Sequence, residues 1–321
     1  MSKFVAVTIG DIKGIGIKIL LETWKKNKIK NFILFTDIEI LKKNIEKKYI
    51  NKINIIDLEK LNYNYKNKNL NIYNFKSKSL EDNTYKSLKF AYKFCKNEIC
   101  IGIITLPLRK DLIKKKIDKN FVGHTEFFQK IDKKKYSNMI LMHNKLIVSP
   151  LTTHIEIKKI FNKISNKNYL FNQIISLNHC LKSDFNFKNP KLIVSGLNPH
   201  AGENGEIGEE EIKIIKPLIS KLKYNGVDIV GPYSADSILI NKNLKKYNCF
   251  IFMYHDQALI PFKLISKFSG VNYTGNLSII RTSPDHGTAY NLINSKNISY
   301  SSFINCFKLV KKIYKNRTIN G

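Results

Sequence analysis

Three of the chain's seven histidines each follow an apolar run by a few residues: His154 in Thr152-Thr153-His154, His200 in Asn198-Pro199-His200, and His255 in Tyr254-His255-Asp256-Gln257. A neutral imidazole is a common metal ligand. Three of them with one open position make a catalytic type of metal site. If the apolar runs are parallel strands of one sheet, their C-terminal ends share a rim and the three rings can converge. Their spacing is not a metal motif in itself, and three unrelated histidines would be spaced no differently.

Other polar clusters interrupt the background. Thr8-Ile9-Gly10-Asp11-Ile12-Lys13-Gly14-Ile15-Gly16 follows the first apolar run. Its glycines suit either a tight structural turn or a loop that lets backbone approach an anion at a helix N-terminus. It lacks the GxGxxG dinucleotide fingerprint. Lys110, His124 and Thr125 belong to a second cluster and could line a pocket wall, although a lone His is also a common structural residue. Ser195–Glu203 holds turn formers, His200 and a carboxylate after another apolar run, where loops tend to carry function. The last cluster runs from Tyr254 through Lys263 and Gly270-Val271-Asn272 to Arg281 and Asp285-His286-Gly287-Thr288-Ala289. Arg281 is one of three arginines in the chain, with Arg109 and Arg317, which points to a bidentate carboxylate or phosphate partner.

Alternating elements must position these residues. Strands are expected at 3–9, 31–36, 52–58, 70–75, 99–105, 191–195, 228–230 and 248–254, with a hairpin from 138–142 and 145–148 around His143 and Asn144. Helices are expected at 15–26, 37–48, 79–96, 169–182, 206–222 and 301–314. Ser79 and Asp82 take the places of a capping box. Residues 62–69, rich in Asn, Tyr and Lys, read as a surface loop. Alternation of this kind implies an α/β fold with largely parallel pairing, which places ligands at strand C-termini.

Composition sets the limits. The chain has 321 residues, 43% of them hydrophobic, enough for a substantial core. No apolar run reaches membrane-spanning length, and the N-terminus lacks a signal-peptide layout. The five cysteines form no CxxC pair, so buried thiols in a reducing cytoplasm are expected. A net charge of +30 raises nucleic-acid binding as a reading. The scarcity of Arg and the even spread of Lys favour solvated lysine faces instead.

Taken in order, the segments TLPLRK, GHTEFF, TTH, GLNPHAGENGEIGEEEI, GPYSAD, MYHDQ, GVN and RTSPDHGTA resemble the 4-hydroxythreonine-4-phosphate dehydrogenase family of vitamin B6 biosynthesis, from Thr8 to about Leu292. The first loop departs from that family's approximate TPGDPAGIGPE: Ile9 and Ile12 replace prolines, Lys13 replaces Ala, and Ile17 and Lys18 replace Pro-Glu. Leu106 stands where the family usually has Gly.

The resemblance implies two α/β/α domains around a cleft, isocitrate/isopropylmalate-dehydrogenase-like, binding NAD or NADP without a Rossmann fingerprint. The domains are expected at 1–120 plus 285–321 and at 121–284. It implies one divalent ion (Zn, Mg or Co) on His154, His200 and His255. It implies substrate contacts from His124, Thr125, Lys263, Asn272 and Arg281, with Asp236 and Asp256 orienting imidazoles or moving protons. The segment with His286, Gly287 and Ala289 is similar to the adenine-side loop of related decarboxylating dehydrogenases. The implied protein is a cytoplasmic homodimer with active sites at the dimer interface. The implied reaction oxidises the C3 hydroxyl of a small phosphorylated amino acid, 4-phosphooxy-L-threonine, and the β-keto acid then loses CO2. A paralogue for phospho-threonate or phospho-erythronate would use the same anchors. A non-catalytic basic nucleic-acid-binding protein is the alternative of a different class.

Overall fold

The computed structural model describes residues 4–60, 64–295 and 297–320, so residues 61–63 of the expected 62–69 loop lie outside the described residues. The chain divides into two compact units, Met1–Asp132 with Leu277–Lys315, and Lys133–Asn276 with Asn316–Gly321.

The first unit contains β1 (Phe4–Thr8), α1 (Ile15–Lys25), β2 (Phe32–Thr36), α2 (Ile38–Asn44), α3 (Lys47–Ile50), β3 (Ile53–Ile56), β4 (Leu70–Asn74), α4 (Leu80–Lys96), β5 (Cys100–Thr105), α5 (Lys110–Lys116) and α6 (His124–Ile131). The second contains β6 (Asn138–His143), β7 (Leu146–Thr152), α7 (Ile160–Ser165), α8 (Lys167–Ser183), β8 (Leu192–Ser195), α9 (Lys216–Tyr224), β9 (Ile229–Tyr233), α10 (Asn241–Lys246), β10 (Cys249–Tyr254), α11 (His255–Ser266) and β11 (Val271–Gly275). The chain then returns through β12 (Arg281–Pro284) and α12 (Ser301–Asn320).

In the first unit the strand order is β3-β4-β2-β1-β5-β12, all parallel. The chain leaves β1 for β2 on one side and later adds β5 on the other. Loops after β1 and β5 therefore flank a switch point, where open α/β sheets bind ligands. Both strands are apolar on both faces, as parallel strands covered by helices must be. The core beside them is aromatic: Phe35, Tyr73, Phe75, Phe90 and Phe94 interlock, with Tyr73 and Phe94 ring centroids 4.7 Å apart. Such edge-on contacts add to area burial, which is worth about 1.5–3 kcal/mol per large side chain.

In the second unit the order is β11-β6-β7-β10-β8-β9. Here β11, β6 and β7 pair antiparallel, through the expected hairpin, and β7, β10, β8 and β9 pair parallel. The register sets Tyr254 against Thr152 at the C-terminal ends of β10 and β7.

Several elements differ from expectation for local reasons. The helix expected at 37–48 breaks at Ile45, whose φ −122° and ψ 160° are extended, giving α2 and α3. The helix expected at 206–222 starts late, because Gly208 sits at φ +94° and a Cβ there would lie 2.6 Å from Asn198 Nδ2. Residues 124–131 and 255–266, for which the sequence pattern assigns no element, are helices α6 and α11. Neither has a side-chain N-cap hydrogen bond to announce it. Ser79 does cap α4, its Oγ accepting from Asp82 N–H at 3.1 Å. All five cysteines are buried and free. No helix among the described residues is long and apolar enough to cross a membrane.

Candidate active site

Two of the three singled-out histidines come together at the rim of the second unit. His154 follows the end of β7, and His255 opens α11 directly after β10. Their ring centroids are 5.7 Å apart. They line a cavity of about 140 Å³ together with Ile157, Ile160, Tyr254 and Asp256. The strand ends are tied by Thr152 Oγ1, which donates to Met253 O at 2.8 Å. His255 Nδ1 lies 2.6 Å from Asp256 Oδ1. An Nδ1–H donated to that carboxylate leaves the Nε2 lone pair outward, the usual arrangement of a metal-binding imidazole.

The pair fits half of a divalent-metal site. Two imidazoles on one tetrahedral zinc, each nitrogen at about 2.0–2.1 Å, hold their rings at roughly this spacing. Among the described residues, no three His, Cys, Asp or Glu side chains are grouped closely enough to hold an ion. The third expected ligand, His200, is exposed and does not join the pair. It stands within electrostatic reach of Asp236. The Asp236 carboxyl lies below the usual range, chiefly because Ser234 donates to it and in part because of His200. Thus each of the two expected orienting carboxylates lies near one histidine.

The turn Pro199–Gly205 that carries His200 is left-handed through five residues, His200 to Asn204, with φ between 43° and 78°. Four of these are not glycine. Left-handed backbone costs an L-residue roughly 1–2 kcal/mol, so the surroundings must hold the turn. Two polar side chains, half-buried Gln257 and buried Glu211, do so, and neither was singled out from sequence. Gln257 joins the strand ends: its Oε1 accepts from Met253 N–H at 2.9 Å and Ser195 Oγ at 3.1 Å, while its Nε2 donates to Gly196 O at 3.0 Å. Glu211, 1% exposed, accepts from Leu197 N–H at 2.7 Å, Asn198 N–H at 2.9 Å and Asn198 Nδ2 at 2.9 Å. The identity of Gln257 and Glu211 was visible in YHDQ and GEEEI, but the backbone groups they bind were not.

The five expected substrate contacts divide between the units. In the second, Lys263 is exposed on α11, and Asn272 lies on β11 with its Oδ1 shut from solvent and without a hydrogen-bond partner. In the first, His124 and Thr125 open α6, and Arg281 opens β12. The His124 ring is half-buried, with Nε2 inaccessible and unpartnered. Burial, then the charges of Arg281 and Lys110, hold its pKa well below the ordinary imidazole value, so it is neutral at pH 7. Arg281 is 1% exposed and donates to Thr105 Oγ1 through Nη2 at 2.6 Å. Burial pushes its pKa down to about 10, leaving it cationic.

In the first unit the glycine loop and the 286–289 segment meet. Ile15 N–H donates to Thr288 O at 2.9 Å, and the Tyr290 hydroxyl donates to Asp11. The loop is also pinned to the segment after β5, Asp11 N–H donating to Pro107 O at 2.8 Å. Ile9 and Ile12, which stand where the family has prolines, are buried at 0% and 5% exposure, and Leu106 is fully buried. A cavity of about 790 Å³ opens beside these loops, lined by Asp11, Lys13, Ser79, Glu81, Arg109 and Tyr290 among others. That is within the size range of cofactor pockets. His286 and Ala289 are half-buried and Gly287 is exposed next to it in sequence, with Ala289 at φ 42°.

Comparison with known proteins is consistent in direction. The family model described as pyridoxal phosphate biosynthetic protein PdxA matches residues 27–310. A 4-hydroxythreonine-4-phosphate dehydrogenase of Wigglesworthia glossinidia brevipalpis is 43% identical over 225 residues, 70% of this chain and 67% of that protein. A D-threonate 4-phosphate dehydrogenase of Pectobacterium atrosepticum is 31% identical over 312 residues, 91% of this chain and 93% of that one. The crystal structure of a 4-hydroxythreonine-4-phosphate dehydrogenase from Klebsiella pneumoniae superposes with a TM-score of 0.83 at 27% identity, covering 98% of each chain.

Proposed function

We propose, since this chain belongs to the pyridoxal phosphate biosynthetic protein PdxA family, that it oxidises 4-phosphooxy-L-threonine with NAD or NADP. The C3–H leaves as hydride to the nicotinamide and the C3 hydroxyl proton goes to a base. The product, 2-amino-3-oxo-4-phosphooxybutanoate, loses its carboxylate as CO2 and takes up a proton, giving 3-amino-2-oxopropyl phosphate.

The observation that carries this reading is the unsatisfied buried atom His124 Nε2 in the first unit, near the Arg281 cation. Buried polar atoms are nearly always paired in a folded protein, so an orphan at an expected substrate position fits a polar ligand. Neutral His124 contributes a hydrogen bond rather than charge, with Thr125 beside it. Lys263 and Arg281 supply cations for the phosphate and carboxylate. His154 and His255, with His200 brought to them, are the residues that would hold a divalent ion (zinc, magnesium or cobalt). Bound there, it would lower the pKa of the substrate hydroxyl and stabilise charge on the ketone. Asp256 and Asp236 orient His255 and His200 or carry the released proton. The cavity beside the glycine loop, with His286, Gly287 and Ala289, is the proposed NAD(P) site.

The assembly we propose is a homodimer with active sites at its interface. The apolar stripe of Ile260, Leu264 and Phe268, exposed by 62%, 74% and 74%, supports it. Buried free thiols fit a cytoplasmic setting. The test is reduced-nicotinamide absorbance after mixing the purified protein with 4-phosphooxy-L-threonine and either cofactor. Turnover of that substrate is expected. No turnover, with D-threonate 4-phosphate oxidised instead, would assign the chain to the paralogous activity that the Pectobacterium relative's name carries.

A further inference from the structure

We infer that Glu211 is a positioning residue for His200: its buried carboxylate is the template on which the left-handed 199–205 turn folds. The inference rests on the site reading above and adds a residue to it. Three observations converge. The Glu211 carboxylate gathers Leu197 N–H, Asn198 N–H and Asn198 Nδ2, the donors that immediately precede the turn. The turn closes on the same carboxylate from its other side: a Cβ at Gly202 would lie 2.6 Å from Glu211 Oε2, so the backbone has been drawn in to where only glycine fits. Finally, Glu211 opens a π-turn, Glu211–Ile215, ahead of α9. Such wide turns are found often at functional sites, because they re-aim a side chain that a regular helix would direct elsewhere.

The chemistry explains why a carboxylate is used. An ionised carboxylate is acceptor-only, with room for several N–H donors, and burying it is tolerable when those donors are supplied. Three donors from two adjacent residues fix the entry to the turn in one orientation. Without them, the Leu197 and Asn198 N–H groups lose their acceptor, and less is left to offset the left-handed strain from His200 to Asn204. Glu211 does not touch His200, so its effect on the reaction passes through the backbone of the turn.

Glu211→Gln tests this, because it keeps one acceptor oxygen but turns an N–H₂ towards Asn198 Nδ2. Steady-state rates are measured for the parent, Glu211→Gln, His200→Ala and the double variant, with melting temperatures and amide exchange at Leu197 and Asn198. The expected result is a fall in kcat/KM of about 10- to 100-fold for Glu211→Gln, the range found when groups that orient metal ligands are removed. Most of it should lie in kcat, with faster exchange at both amides. In the His200→Ala background the same change should cost less than about two-fold, since positioning is worthless once the imidazole is gone. Glu211→Asp, which retains the charge but pulls it back from the donors, should behave like Glu211→Gln; it serves if the amide variant does not fold. Unchanged kinetics in the folded variants, or an equal loss in both backgrounds, would overturn the role. A His200→Ala protein working at the parental rate would instead overturn the assignment of His200 itself, a separate failure.

Discussion

His124 carries the clearest pH signature of any single residue. Its imidazole has a folded-state pKa well below the ordinary value because it is buried near Arg281 and Lys110. The unfolded chain takes up the proton near pH 6.5, where the folded chain does not. Stability is therefore unaffected by this group above that pH and is lost as pH falls below it. One unit lower, the loss amounts to about 1.4 kcal/mol. Denaturant unfolding at about pH 7.5 and about pH 5.5 should show that extra decline in the parent and not in His124→Asn. An equal decline in both would remove His124 as the source. The same neutral ring is what suits it to hydrogen-bond a phosphorylated substrate without adding to the local charge.

Among the elements, the polar cluster after α8 has a direct consequence for stability. Asp184, 2% exposed, accepts from Arg317 Nε at 2.7 Å and Nη2 at 3.1 Å, and Tyr273 donates to it. Burial alone would raise its pKa, but Arg317, Cys180 and Tyr273 together hold it below the ordinary carboxylate value. The cluster joins the end of α8, β11 and the end of α12. Breaking a buried pair leaves an uncompensated charge, at about 3–5 kcal/mol. Asp184→Ala should lower the unfolding free energy by that amount, measured by urea titration. A loss under about 1 kcal/mol would mean that the pair is solvated. Such a cluster is not legible in sequence, because Asp184, Tyr273 and Arg317 are far apart along the chain and each is ordinary in its own segment. By contrast β1, α1, β5 and β10 were legible, since their apolar runs and periods need no partner to be recognised. Helix α11 was hidden because it starts without a cap at the last strand residue and contains Pro261.

Scale of the whole molecule brings in charge and surface. The net charge of +30 comes largely from lysines on the helices and loops, none on a strand among the described residues, so it forms a diffuse field that attracts anions. The apolar patch of Ile260 and Leu264 on α11, with Phe268 just beyond it, is the feature that such a surface does not explain. Leu264→Asp should weaken self-association by at least about 30-fold, as loss of a central interface side chain does. Sedimentation velocity across a concentration series reads this directly, and an unaltered profile would place the dimer contact elsewhere. If the active sites lie at the interface, activity should fall with dimer content.

Composition, strand and helix periodicity and the ordered short motifs were enough to define an α/β chain of this family, because burial patterns and reactive residue types are written locally. They were also enough to nominate His154 and His255, since strand ends in a parallel sheet share a rim. Which side chains meet there is decided by register and by loop backbone, and both depend on contacts between distant segments. Tyr254 falls opposite Thr152, so their histidines face each other. His200 sits on the left-handed turn, and buried Glu211 holds the turn's entry. The first glycine loop, altered from its relatives, still closes against Pro107 and Thr288, because Ile9 and Ile12 find apolar surroundings that no linear reading of the chain supplies.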